Sequence, residues 1–378
     1  MNEVTQVSSR FPNPMRDHDG FKIGVFCYLH EGGLTMTKIP ERWKADWPDI
    51  VAMAKLADSA KLDFLLPVAR WKGIPGDGLR HRDACYEVLT HAAALAALTS
   101  HIAIFSTVHV PVVHPIHAAK AMVTIDHVSR GRSGLNIVCG WDPDDLGMFG
   151  LPRLTHEERY EQGWEWYQIW SKLVVGCRDE FDFDGKFFKN QRGLYAKPGC
   201  LQQPMPLVLS AATSQQGREY AVKTSDLLFT VAETLEQATI EIGDIKALAE
   251  RMGRRRPMAV LGTGYVVCRE TRSEAEEFEK YYAETYGDRI ATARYAGLRA
   301  QNAHVNDALY THRRIAAGNA GHRLVGTPQD VAEGLYEMHK AGFAGTTVSF
   351  VDFVSELAFF NERVMPIIDR MNIRPATR

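Results

Sequence analysis

The chain has 378 residues, 45% hydrophobic and 24% charged, with 44 Lys+Arg against 46 Asp+Glu and a formal net charge of −2. That is a globular composition, long enough for one large domain or two ordinary ones. A near-neutral balance excludes a protein built to grip a phosphate backbone or an anionic membrane surface, which need excess Lys and Arg.

In chain order, residues 1–20 (MNEVTQVSSRFPNPMRDHDG) lack a basic start followed by an apolar run, so they predict an arm rather than a secretory signal. FKIGVFCYL (Phe21–Leu29) predicts a buried strand, and a helix follows over Asp49–Lys61. DFLLPVA (Asp63–Ala69), a helix to Leu98, IAIFSTV (Ile102–Val108), a helix from His117 to Val128 and GLNIVCG (Gly134–Gly140) continue the alternation. A Trp-rich helix from His156 to Leu173 comes next, then strands at Pro206, Leu227, Met258 and Thr346, each beside a helical segment. Val88–Ala119 contains no Asp, Glu, Lys or Arg, but its five His and two Pro mark it as helix, strand and loop, not a membrane span.

Eight apolar strands in βα alternation predict an α/β fold, a (β/α)₈ TIM barrel, over residues 21–378. Two stretches exceed the barrel: an insertion near 176–201, with the β-type run DEFDFDGKFF, and one near 271–324, opening on a charged helix. Helix starts are marked at Thr155, with Glu158 three residues on, and at Thr327, followed by Pro328.

Six cysteines without a CxxC pair predict reduced thiols and a cytoplasmic protein. His81-Arg82-Asp83 resembles a kinase catalytic loop but has Val88 where Asn is required. Gly262-Thr-Gly264 lacks a third glycine, and neither a P-loop nor a GxSxG elbow occurs. His109, His114 and His117 have no carboxylate at ligand spacing, so no metal is expected and His109 is better read as a substrate contact. Asn136 through Trp141, then Asp145, then Arg159-Tyr160, place a carboxamide at a strand end and an Arg beside a Tyr. That set suits a phosphorylated planar cofactor, while packing or surface roles fit each residue about as well.

NIVCGW followed by HEERY resembles the bacterial-luciferase-like, flavin-dependent monooxygenases, in the branch of pyrimidine, dimethylsulfone and nitrilotriacetate monooxygenases. KIGVF, LDFLLPVAR, TIDHVSRGR and LVGTPQDVAEGL extend the similarity from about Phe21 to Met371. The resemblance implies reduced FMN delivered by a separate NAD(P)H-dependent flavin reductase, O₂ as co-substrate, a small heteroaromatic or organosulfur substrate, and a homo-oligomer, dimer or tetramer. FMN contacts would fall on Ala69, Arg70, Asn136, Asp145, Arg159 and Tyr160, with Ser214 on the phosphate, and the oxygen pocket on Thr107 and Asn136. Tyr28, Trp71, His109, Trp141 and Phe350 are candidate substrate-wall residues, as aromatics or a His near expected strand ends. Cys139 stands where the pyrimidine enzyme has Thr and the sulfone enzyme Ser, and is expected to alter that wall. A deazaflavin F420-dependent oxidoreductase and a non-catalytic flavin-binding protein are the competing readings.

Overall fold

The computed structural model describes residues 12–16, 20–140, 142–300 and 311–374. Eight parallel strands close on themselves: β1 (Lys22–Phe26), β2 (Phe64–Leu66), β3 (Ala103–His109), β4 (Ser133–Val138), β5 (Leu207–Ala211), β6 (Leu227–Phe229), β7 (Ala259–Cys268) and β8 (Gly345–Ser349). Each pairs with its successor, and β8 pairs back onto β1. These are the eight strands the alternation predicts.

Outer helices α1 (Trp47–Ser59), α2 (Val88–Leu98), α3 (Pro115–Val128), α4 (His156–Val174), α5 (Gln215–Thr224), α6 (Leu235–Arg251), α7 (Pro328–Lys340) and α8 (Ser355–Arg363) cover the barrel. Capping boxes at Thr155/Glu158 and Thr327/Asp330 start α4 and α7, satisfying backbone donors that a helix start leaves open. The insertion near 176–201 forms an antiparallel hairpin, Phe181–Phe183 with Gln191–Leu194. Two further pieces are absent from the sequence reading. A two-residue ladder, Ile74–Pro75 with Arg80–His81, follows β2, and a ninth strand, His322–Gly326, pairs with the outer half of β7. Both are too short or too polar to show a strand period.

Strand alternation decides what faces the barrel axis. Phe64, Leu66, Ala103, Phe105, Leu207, Leu209, Leu227, Phe229 and Leu261 fill the interior, and Met15 of the arm packs into the same cluster. The arm segment is tied down by Asn13 Nδ2, which donates to Gly131 O at 3.0 Å and to Gln202 Oε1 at 3.2 Å. Gly134 faces inward beside the Phe105 ring, where a Cβ would come within 2.5 Å of ring carbon, so the small residue makes room for the large one. Ile104, Val108, Leu135, Ile137 and Cys139 face outward to the helix layer.

The same period then places chemistry at the top. Above Phe105 on β3 come Thr107 and His109; above Gly134 on β4 come Asn136 and Val138. Thr107 and Asn136 are register partners on adjacent strands.

Candidate active site

A cavity of about 250 Å³ opens at the carboxyl ends of the strands, the face where barrel enzymes place their sites. Ala69, Arg70, Thr107, His109, Asn136, Arg159, Tyr160 and Ser214, predicted from sequence, all line it. Asp145, Tyr28, Trp71 and Phe350 do not, and Trp141 lies outside the described residues.

At the centre, Thr107 Oγ1 donates to Pro67 O at 2.6 Å, and Asn136 Nδ2 donates to Thr107 Oγ1 at 3.1 Å. The threonine hydrogen is committed to a carbonyl, so the amide group facing it must be the donor. That leaves Asn136 Oδ1 as a buried acceptor with no partner among the described residues. An orphaned acceptor of this kind costs about 1–3 kcal/mol unless a ligand donor meets it. It fits an N–H on the edge of a planar heterocycle.

At the rim, Ser214 caps α5, its Oγ accepting from Gly217 N at 3.2 Å. Arg159 donates to Gly140 O at 2.8 Å and to His156 Nδ1 at 2.9 Å, and His156 Nε2 lies 3.2 Å from Ser214 Oγ. Arg159 Nε is buried without a partner among the described residues. A Cβ on Gly217 would sit 2.6 Å from the Tyr160 hydroxyl and 3.1 Å from Ser214 Oγ, so only glycine keeps this corner open. Cation, hydroxyls and the free N–H groups of a helix start form an anion cradle. The donor set matches a phosphate, and sequence reading singled out each member except His156, which stands in the HEERY run without a role of its own.

Arg70 enters from the loop after β2 and is gripped by Asp142 and, at 3.1 Å, by Asp145. Asp145 also accepts from the backbone N–H groups of Trp71 (3.3 Å) and Lys72 (2.9 Å). Asp145 therefore stands behind Arg70 and fixes the β2 loop instead of facing the cavity. Burial raises its carboxyl pKa; the Arg70 charge opposes this and is outweighed. For Arg70, burial is overridden by the two carboxylates, and its guanidinium is held above its ordinary value.

Tyr28 is a core residue: its ring is fully buried and its hydroxyl bonds His91 Nε2 at 3.0 Å. Trp71 packs edge-on against Phe149, and Phe350 against Phe353 and Phe360. Cys139 faces outward against Gly163 and Tyr220 on the helix layer, so it does not alter the substrate wall. Cys139 directly follows β4 and continues its alternation, in which only the even positions point inward. His114 caps α3 by accepting from Ile116 N, and among the described residues no three His, Cys, Asp or Glu gather at metal-ligand distance. No described helix is long and apolar enough to cross a membrane.

Sequence reading missed the far wall. Arg82, Tyr295, Arg299 and Asn319 complete the cavity, the first from directly after the short ladder that follows β2 and the others from the 271–324 insertion. Their only sequence signal is cationic and aromatic content in segments with no period to fix their direction.

A closed (β/α)₈ barrel with an anion cradle on α4 and α5 and an unpaired acceptor at its centre suits a phosphorylated planar ligand. The chain matches the luciferase-like monooxygenase family over residues 21–345 and belongs to it. It is 28% identical over 345 residues to an FMNH₂-dependent dimethylsulfone monooxygenase of Pseudomonas putida, covering 89% of this chain and 92% of the relative. The Pseudomonas fluorescens (strain Pf0-1) protein of the same description is 27% identical over 355 residues, 91% of this chain and 93% of its own. Among solved structures, riboflavin lyase with a modified FMN and riboflavin superposes with a TM-score of 0.81 at 20% identity, over 94% of this chain and 93% of that one.

Proposed function

We propose that this protein is a two-component monooxygenase that takes reduced FMN from a separate NAD(P)H-dependent flavin reductase and uses O₂ to oxidise a small organosulfur or heteroaromatic substrate at a carbon–heteroatom bond. It would work in the cytoplasm as a homo-oligomer. The observation that carries this reading is the Asn136 acceptor, buried and unpaired beside Thr107, in one cavity with the Arg159–His156–Ser214 cradle. The family and the described relatives support it.

Reduced FMN, when bound, supplies the electrons for O₂ activation. The chain supplies position and shielding. Arg159, Ser214 and the α5 amides would hold the phosphate, and Tyr160 would close over it. Asn136 would accept from the ring edge, while Thr107, its hydrogen held by Pro67, keeps the Asn136 amide in the required orientation. Thr107 is thus a positioning residue in this reading. Apolar Leu66, Val138, Leu209 and Phe229 line the same space and exclude water, which strengthens each polar contact within it.

Anaerobic titration with FMNH₂ tests the cradle. Arg159→Ala should weaken binding by about 10- to 100-fold, the worth of a charge-assisted hydrogen bond to phosphate. An unchanged dissociation constant would remove Arg159 from the phosphate site. Turnover with F420 in place of FMN would favour the deazaflavin reading, and FMNH₂ oxidation without product across sulfones and heteroaromatics the non-catalytic one.

A further inference from the structure

The cavity wall contains four arginines, Arg70, Arg82, Arg159 and Arg299, and no Asp or Glu. Arg70 is matched by Asp142 and Asp145, and Arg159 belongs to the cradle on the β4 and β5 side. Arg82 is different. It is 4% exposed, its Nη2 donates to Leu34 O at 3.2 Å, and its Nε has no partner among the described residues. No carboxylate among the described residues lies within ion-pair distance of it, and burying a cation without a matching anion is unfavourable.

The protein holds Arg82 there against local preference. Its backbone is left-handed, with φ of 60°, a conformation that side-chain-bearing residues rarely adopt. Its neighbours are pinned on both sides. His81 Nε2 bonds Asp288 at 2.9 Å, and Asp83 accepts from Gly73 N at 3.1 Å. Asp288 also accepts from Ile290 N and Ala291 N at the start of the helix Arg289–Ala300, which carries Tyr295 and Arg299. One carboxylate thereby fastens the β2 loop to the insertion helix and sets the Arg82 guanidinium 5.1 Å from the Tyr295 ring centroid. Burial alone would raise the Tyr295 phenol; Arg299, Arg82 and Arg70 hold it below its ordinary value, a sign of local positive potential.

We propose that Arg82, with Arg299 and Tyr295, forms an anion subsite for the substrate, and that the substrate is a small organic anion, a sulfonate or carboxylate, rather than a neutral sulfone. This deepens the monooxygenase reading and rests on it for the identity of the other ligand. The subsite lies on the β2 and β7–β8 side of the barrel, the cradle on the β4–β5 side, so the two anionic groups need not compete. The His81-Arg82-Asp83 run, without a role in the sequence, becomes the element that sets substrate charge.

The test is calorimetric titration of the protein, with and without saturating FMN, using benzenesulfonate, benzoate and the neutral methyl phenyl sulfone. Both anions should bind at least about tenfold tighter than the sulfone, and their ratio separates sulfonate from carboxylate preference. Arg82→Gln should lose about tenfold or more in anion affinity, with sulfone affinity and the FMN dissociation constant within about twofold of wild type. Arg82→Lys should recover part of the loss. Thermal unfolding of each variant is recorded; if Arg82→Gln does not fold, Arg299→Gln decides, a loss supporting the subsite and no change overturning it. Equal binding of sulfone and sulfonate overturns it, as does displacement of FMN by benzenesulfonate, which would put the anion in the cradle. Failure of FMN to bind the wild type at all would strike the flavin reading instead, because the titration without FMN still reads the subsite.

Discussion

Arg159 can only donate, so its 2.9 Å contact with His156 Nδ1 makes that nitrogen the acceptor and puts the imidazole proton on Nε2. Burial and then the Arg159 charge push the His156 pKa down, so the neutral ring is the consistent state. Nε2–H then points at Ser214 Oγ, whose own hydrogen is left for the Tyr160 oxygen or for an anion. At the centre the same reasoning assigns Thr107 a role through Asn136. Thr107→Val removes the acceptor that fixes the amide, and kcat should fall about tenfold with FMNH₂ affinity changed much less, while Thr107→Ser restores activity. Equal activity in Thr107→Val would leave Asn136 oriented by something else. Buried histidines give a pH signature. Burial, then Arg70, lowers the pKa of His109 from 6.5 to about 4; burial does the same for His91, and burial followed by Arg82 takes His30 to about 3. Between pH 6.5 and about 4 the unfolded chain binds protons that the native chain does not, so stability is lost as pH falls through that window. Denaturant midpoints should drop steadily from pH 6.5 to 4 and less so in His109→Asn; a midpoint flat in pH would contradict this.

Three buried carboxylates tie connecting segments of the barrel to their neighbours. Asp126 accepts from Ser133 Oγ at 2.8 Å, Leu201 N at 2.6 Å and Gln202 Nε2 at 2.6 Å, joining α3 to the segment before β5. Glu279, 1% exposed, binds Tyr265 Oη at 2.6 Å and Arg323 Nη2 at 2.7 Å, fastening the insertion to β7 and the strand beside it. Asp288 does this for the substrate wall. Asp288→Asn should cost on the order of 3 kcal/mol, because a buried charge-assisted set of contacts becomes half-matched. It should also raise KM more than it changes FMNH₂ affinity, since it frees Arg82 and the Tyr295 helix but not the cradle. Equilibrium unfolding and steady-state kinetics read the two effects; a stability loss without a KM effect would make Asp288 structural only. The eight barrel strands were legible because parallel strands buried on both faces read as apolar runs. Asn136 was legible at a strand end that such a run locates, whereas Thr107 and Ser214 were implied only by the family resemblance; all three line the one cavity. Arg82 and Tyr295 were not. Their placement depends on Asp288 bonding across 207 residues to His81, and no local pattern encodes that contact. Asp145 and Tyr28 were located near the right strands but face other partners, a distinction of direction that residue type alone does not make.

Across the whole molecule, the near-zero net charge conceals a polarised cavity. Acidic residues stand behind the wall, as Asp142 and Asp145 do, and arginines stand on it, so positive potential is concentrated where FMN and the proposed substrate would both bring negative charge. The barrel core below, from Met15 to Phe105 and Leu209, closes the other end, so the cavity in which flavin, O₂ and substrate would meet lies at the carboxyl ends of the strands. In the proposed function this space is an oxygenation chamber organised by Asn136. Its most direct measurement is product analysis under isotopically labelled O₂, with FMNH₂ from a flavin reductase and a panel of sulfonates, sulfones and heteroaromatics, comparing wild type with Asn136→Ala. One labelled oxygen atom is expected in the wild-type product, with near-complete loss of that product in Asn136→Ala while the variant stays folded. Unlabelled product, or undiminished labelled product from Asn136→Ala, would contradict it.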